Sequence, residues 1–261
     1  MRSLPPAVRQ TAHRTSDVGR ALADLVLPRV CAGCGVPGAV LCGTCRTLLA
    51  RPRLAQPRRH PPGFPPTVAA AAYAGPVRPA VLAFKEHGRA ELADPLGAAL
   101  ALAVAAVLRG VPGPWAGPVL LVPVPTSAAA VRRRGRDHLL ELTEVAADEL
   151  RTAGVPARTL RALGRAPGRR VRDSAGLDAA ERQANLAGRF RALPRRTALA
   201  AGSRLVLVDD VVTSGATLTE AARALQGHLD TPVLAAAVAA TPRRVHRPVS
   251  GAPPATFVVR G

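Results

Sequence analysis

Two adjacent carboxylates, Asp209 and Asp210, follow the apolar run Leu205, Val206, Leu207, Val208. A small hydroxylated stretch, Thr213, Ser214, Gly215, Ala216 and Thr217, comes next. Neighbouring carboxylates can accept hydrogen bonds from a vicinal diol, such as the 2′- and 3′-hydroxyls of a ribose. Small residues let backbone amides turn inward as a nest, and a helix starting there adds donors and a dipole that favour phosphate. One strand, loop and helix could therefore hold a ribose 5-phosphate by both ends. Thr217 and Glu220 also have the spacing of a capping box. Capping accounts for those two residues but not for paired acids directly after four apolar ones. The stretch carries neither a GxxxxGK[ST] phosphate loop nor a GxGxxG dinucleotide loop.

A second constellation lies near the start. Cys31-Ala-Gly-Cys34 and Cys42-Gly-Thr-Cys45 are two CxxC knuckles separated by seven residues, and they use all 4 cysteines of the chain. Four thiolates at this spacing suit one tetrahedral Zn2+ in a closed, structural site. Two disulfides or two redox pairs are the competing readings; a reducing compartment disfavours structural disulfides, and a thioredoxin-like motif would not come twice in one loop.

Composition bounds the rest. The 261 residues suffice for one medium domain and a small module, and 48 % are hydrophobic. Aromatics are 2 %, so the core must be built of Ala, Val and Leu. Thirty-six basic residues against 17 acids give a formal charge of +19, which favours polyanionic partners. Lys85 is the lone lysine among the basic residues; the arginine excess also fits a GC-rich coding sequence. The start of the chain lacks a signal-like apolar core, and the apolar stretch 96–108 falls short of the ~20 residues of a spanning helix. A soluble, cytoplasmic protein with no transmembrane segment is expected.

The elements that must position these residues can be sketched. A short helix fits 17–27, and a Pro- and Arg-rich linker covers 51–67. Strands are expected at 68–74, 118–124, 158–163, 204–208 and 232–239, and helices at 91–108, 138–153 and 217–228. The region 164–187 reads as a long polar loop. Alternating strands and helices imply an α/β fold with a mostly parallel sheet. The domain plan is an N-terminal extension (1–24), a four-cysteine module (25–50), the linker (51–67) and a main domain (68–261). His13, His60, His87, His138 and His228 show no ligand spacing and read as surface or packing residues.

The segment 206–218 resembles the 5-phosphoribosyl 1-pyrophosphate (PRPP) signature of type I phosphoribosyltransferases. The order of Cys31 to Cys45, Lys85, Pro123-Val-Pro125, Arg134-Gly135 and that signature resembles the ComF/GntX family, which joins a four-cysteine zinc module to a phosphoribosyltransferase-like domain. By this resemblance Asp209 and Asp210 hold the ribose hydroxyls, and Thr213, Ser214, Gly215, Ala216 and Thr217 hold the 5-phosphate. A second loop, 122–127, would bind pyrophosphate with Mg2+. Arg133 and Arg134 suit the pyrophosphate, although Arg132 to Arg136 equally fit a solvated basic turn. Lys85 would reach the diphosphate or cap a helix C-terminus. Relatives often carry Arg-Gly-Phe-Asn-Gln where this chain has Arg134-Gly-Arg-Asp-His138, and Arg182-Gln-Ala-Asn185 sits at a family Arg-x-x-Asn. Residues 172–176 and 182–185 would belong to a segment that closes over the substrate.

The resemblance implies one of three activities. The first is transfer of phosphoribosyl from PRPP to an unknown acceptor. The second is non-catalytic handling of single-stranded DNA, with competence proteins as partners in natural transformation. The third is sensing of PRPP or a nucleotide by a regulator. Whether the chain is an enzyme stays open at this point.

Overall fold

The computed structural model describes residues 29–57, 61–111, 117–166, 188–228 and 232–242. The expected helix at 17–27, His13, His60, Trp115 and the 172–176 and 182–185 motifs lie outside these.

Six strands form the main sheet in the order β1-β2-β8-β7-β3-β4. They are β1 (Arg53–Leu54), β2 (Thr67–Ala72), β3 (Val119–Pro123), β4 (Ala157–Thr159), β7 (Arg204–Val212) and β8 (Leu234–Ala240). All neighbours run parallel except β1 with β2. A separate antiparallel ribbon pairs β5 (Leu163–Arg165) with β6 (Phe190–Ala192). The helices are α1 (Gly43–Leu49), α2 (Val77–Glu86), α3 (Ala93–Arg109), α4 (Ala128–Arg134), α5 (His138–Thr152), α6 (Pro194–Thr197) and α7 (Ala216–Leu225).

Strand alternation splits the core into two layers. Val206 and Val208 face α3 and α5, whereas Leu205 and Leu207 face α7 and the ribbon. Both faces of a parallel sheet are covered, so its central strands read as continuous apolar runs rather than alternating ones. The core is aliphatic as composition requires; Phe84 is the one aromatic among the largest fully buried side chains of the described residues. Gly97 lets α3 approach α5, since a Cβ there would lie 2.4 Å from Val145 Cγ1.

Among the described residues one helical stretch, Ala90–Arg109, is long and apolar enough to cross a membrane. It is longer than the 13-residue apolar segment alone, because a 3₁₀ turn at Ala90–Leu92 precedes α3. Leu96, Leu100, Val104 and Val107 of this stretch are buried in the sheet-facing core.

The cysteine segment is not separate from this core. Cys31, Leu41, Cys45 and Leu49 belong to the same buried cluster as α2 and α3. The expected linker is built into the fold too: β1 extends the sheet, Ala55 is buried, and Arg51 N–H donates to Ala70 O at 3.1 Å. The expected strand at 158–163 is divided. β4 joins the main sheet and β5 leaves it for the ribbon.

Candidate functional site

The sheet dictates where a ligand would sit. β3 connects to β4 through α5 on one face, and β7 connects to β8 through α7 on the other, moving in the opposite direction. Adjacent β3 and β7 thus flank the point where the strand order reverses, and crevices for ligands open at the carboxyl ends of such strands. A cavity of about 430 Å3 lies there, lined by Lys85, Arg134, Asp209, Asp210, Thr213 and Thr217 among others.

The paired acids do not follow the strand, as the sequence suggested; they are inside it. β7 continues to Val212, and Asp209 and Val211 sit opposite Ala237 and Ala239 of β8. Strand alternation therefore sends the two carboxylates to different surroundings. Asp210 is buried, and its Oδ2 receives both Lys85 Nζ at 2.6 Å and His138 Nε2 at 3.1 Å. Burial opposes ionisation of Asp210, but the His138 hydrogen bond and the Lys85 charge outweigh it and hold the carboxyl well below its usual range. Lys85 responds in kind. Burial opposes its charge, and the Asp210 carboxylate overrides that and raises its pKa. Asp209 has no such partner. Burial, then the neighbouring Asp210 charge, push its carboxyl up to about 8, against the smaller pull of Lys85.

His138, expected to be a surface or packing residue, is instead part of the site. Its ring is buried against Phe84, edge to face at 6.3 Å between centroids. Arg134 Nη1 lies 3.4 Å from Nδ1. Arginine can only donate, so Nδ1 accepts and Nε2 carries the proton given to Asp210. Arg134 also grips Glu86 through Nη2 at 2.6 Å and Nε at 3.2 Å. Because Glu86 follows Lys85, the contacts close a ring: Lys85, Asp210, His138, Arg134, Glu86. Residues at four elements, α2, α4, α5 and β7, make it. The signal available in sequence was that His138 opens a helix just past a glycine turn.

The residues around His138 have local roles. Arg136 lays its guanidinium 4.2 Å over the Phe84 ring and pairs with both oxygens of Glu141. Asp137 caps α5 by accepting from Leu140 N–H, and its Oδ1 also accepts from Thr126 Oγ1 at 3.1 Å. The loop after β3 is tied in this way to the helix that carries His138.

Gly215 is left-handed (φ 78°), and a Cβ there would lie 2.8 Å from Phe64. It is also the cap of α7, so the capping box does not form. Glu220 turns away, accepting from Gly188 N–H at 2.7 Å and from Arg223. Thr213 and Thr217 line the cavity, while Ser214 Oγ accepts from Ala216 N–H at 3.4 Å. Arg133 is brought no closer than Glu86; its side chain is 67 % exposed and does not line the cavity. Two cavity arginines were not anticipated at all: Arg165 at the end of β5 and Arg189 just before β6.

In the cysteine segment, the Sγ atoms of Cys31, Cys34, Cys42 and Cys45 all lie within 4.8 Å of one another. Tetrahedral Zn–S bonds of about 2.3 Å would set the sulfurs ~3.8 Å apart, and Cys34 and Cys42 are already at 3.6 Å. The thiols are free. Burial opposes ionisation of Cys31, but the amides of Cys42, Cys34 and Gly33 outweigh it and bring the thiol down to about 6. Burial and the surrounding sulfurs push Cys45 the other way. A divalent cation would resolve that conflict by stabilising all four thiolates, so the four could hold a zinc ion. Gly33 leaves room for this packing, as a Cβ would lie 2.8 Å from Cys45 Sγ.

Fold and site together define an α/β protein with an acid-lined crevice at the switch point of a parallel sheet. Residues 97–251, more than half of the 261-residue chain, match the family model of the phosphoribosyl transferase domain, and the chain belongs to that family. Lys85, Glu86 and the cysteines precede the matched span. A comparison with curated proteins finds no match.

Proposed function

We propose that the cavity binds PRPP or a related ribose 5-phosphate together with Mg2+, and that the chain is a ComF/GntX-type phosphoribosyltransferase. The observation that carries this reading is the placement of Asp209, Asp210, Thr213 and Thr217 on one cavity at the reversal of strand order. Asp209 and Asp210 accept the 2′- and 3′-hydroxyls. Amides of residues 213–217 receive the 5-phosphate at the start of α7. Lys85 faces the diphosphate once the ligand competes for Asp210. Mg2+ would neutralise the leaving diphosphate, with hard carboxylate and phosphate oxygens as its donors.

In the transfer, the C1–O bond to pyrophosphate breaks and its electron pair leaves with pyrophosphate. The acceptor nucleophile bonds to C1 and loses its proton. The charge that develops on the ribose faces Asp209 and Asp210, so these acids favour the oxocarbenium-like transition state. No covalent intermediate is needed. Zn2+ at the four cysteines stiffens the fold beside α2, which carries Lys85. The boundaries after residues 24, 50 and 67 are part of the same reading, with the zinc module and the 51–67 stretch packed onto the main domain.

Calorimetric titration of the zinc-loaded chain with PRPP and Mg2+ tests it. Saturable binding is expected for the wild type, with at least a tenfold loss in the Asp209→Asn, Asp210→Asn double variant. Absence of binding by the wild type overturns it. The +19 charge then favours the second reading, a DNA-handling accessory, whose affinity for single-stranded DNA must fall steeply with salt.

A further inference from the structure

The ring described above leaves two cations over. Lys85 is matched by Asp210 and Arg134 by Glu86. Arg165 and Arg189 line the same cavity, yet neither meets a carboxylate among the described residues. Arg165 has a single long contact, Nη1 to Pro125 O at 3.5 Å. Arg189 buries its Nε with no acceptor. Burial holds both below their ordinary range, and Arg189 feels the Arg165 charge in addition. An arginine does not escape such a setting by losing its proton. A half-buried, mutually repelling pair with an orphaned donor is costly unless an anion joins it.

The pair is held in place. Arg165 pairs with Phe190 in the ribbon, and Phe190 is buried in the core on the α7 face. Gly188 N–H, next to Arg189, is fixed to Glu220 of α7. The ribbon thus packs on the same helix whose start forms the small-residue loop. The two guanidinium groups are positioned, not loose surface charges.

We propose that Arg165 and Arg189 form an oxyanion subsite of the cavity, separate from the loop at residues 213–217, that takes a phosphate or carboxylate group. The proposal rests on the reading of the cavity as a ribose 5-phosphate site. The oxyanion has two chemical sources: the diphosphate of PRPP, or an acidic group on the acceptor. Either gives the guanidinium forks the bidentate partner they lack.

The test uses the full zinc-loaded chain and three probes: ribose 5-phosphate, inorganic pyrophosphate, and inorganic phosphate added to protein saturated with ribose 5-phosphate. Variants are Arg165→Gln, Arg189→Gln and their combination, with Asp209→Asn as the control for the sugar site. The expected result is ribose 5-phosphate affinity within threefold of wild type in the arginine variants, with a loss of tenfold or more for a second anion. Loss of pyrophosphate binding assigns the subsite to the diphosphate. Retained pyrophosphate binding with lost phosphate binding assigns it to an acidic acceptor. Unchanged binding of both anions in the double variant overturns the proposal. Failure of wild type to bind ribose 5-phosphate, with arginine-dependent pyrophosphate binding intact, sinks the sugar-site reading alone. Arg189→Met supplies a check on folding: an uncompensated cation predicts a raised Tm, and a lowered Tm overturns the claim that the pair lacks a counter-ion.

Discussion

The four-cysteine cluster and the Asp210 cavity solve opposite problems with charge. The cluster draws identical donors from fifteen consecutive residues and needs one cation to satisfy all of them. The cavity draws unlike groups from α2, α4, α5, β7 and the ribbon, and satisfies most of its charges internally, leaving two arginines with no carboxylate among the described residues and an Asp209 carboxyl raised to about 8. A closed set of like donors makes a structural site. An open set of partly matched charges makes a site that a ligand can complete. The difference also predicts what each region costs when damaged, since the cluster shares the main core and the cavity does not depend on one ion.

The largest effect is expected at the cluster. Cys31→Ser with Cys45→Ser should abolish zinc binding, measured by metal analysis, and lower stability by several kcal/mol, on the order of the binding energy of a structural site. Retention of wild-type Tm would break the comparison, because it would mean the cluster stands apart from the core.

Next is the asymmetry between the acids. Asp210→Ala removes the partner of half-buried Lys85 and of His138, and should cost about 2–4 kcal/mol in denaturant unfolding. Asp209→Asn should cost nothing at pH 8 or raise Tm by a few degrees, although both variants should lose sugar-phosphate binding. Equal destabilisation would show that the two carboxylates are not differentiated.

The pH dependence follows from the same asymmetry. The Asp209 carboxyl is raised to about 8 in the fold, against ~3.9 unfolded. Between those values the native state holds the extra proton, so stability falls as pH rises, down to a plateau above about 8. Asp209→Asn should flatten that slope. Affinity for ribose 5-phosphate should rise as pH passes through 8, because the carboxylate accepts from both hydroxyls. Asp210 has the opposite sign: its contribution is present above the unfolded value and is lost only as pH falls below it.

His138 gives a smaller, diagnostic effect. His138→Ala removes one hydrogen bond to Asp210, worth about 1–2 kcal/mol. His138→Gln keeps a donor and should recover most of the sugar-phosphate affinity, while Ala should not. Gly97→Ala acts on stability alone. It should cost about 1–3 kcal/mol of stability by overpacking α3 on α5 and leave ligand affinity unchanged, since no cavity group touches that contact.

Much of the fold was legible because its patterns are local. The apolar runs at 118–124, 204–208 and 232–239 each became a buried parallel strand within a few residues of expectation, as did the helices at 91–108, 138–153 and 217–228. The acids and hydroxyls of 209–217 stood out for the same reason, and Asp209, Asp210, Thr213 and Thr217 line one cavity. The expectation that β7 would stop before Asp209 failed because β8 runs alongside and pairs through Val212. Propensity within a segment carries no information about such a neighbour. His138, Arg165 and Arg189 were missed since each gains its meaning from a partner far along the chain, 72 residues away for His138 and Asp210.

The sequence by itself determined the alternation of strands and helices, the aliphatic character of the core, the four-thiol set and the run of acids and hydroxyls at 209–217. All of these depend on residue types within a few positions of one another. Only the tertiary structure decided that Lys85 and His138 share one oxygen of Asp210, that Asp209 is left the weaker acid, and that Arg165 and Arg189 line the same cavity with no carboxylate partner among the described residues. Burial and charge pairing are properties of distance in space, and the parallel sheet brings to its strand ends groups that the chain keeps far apart.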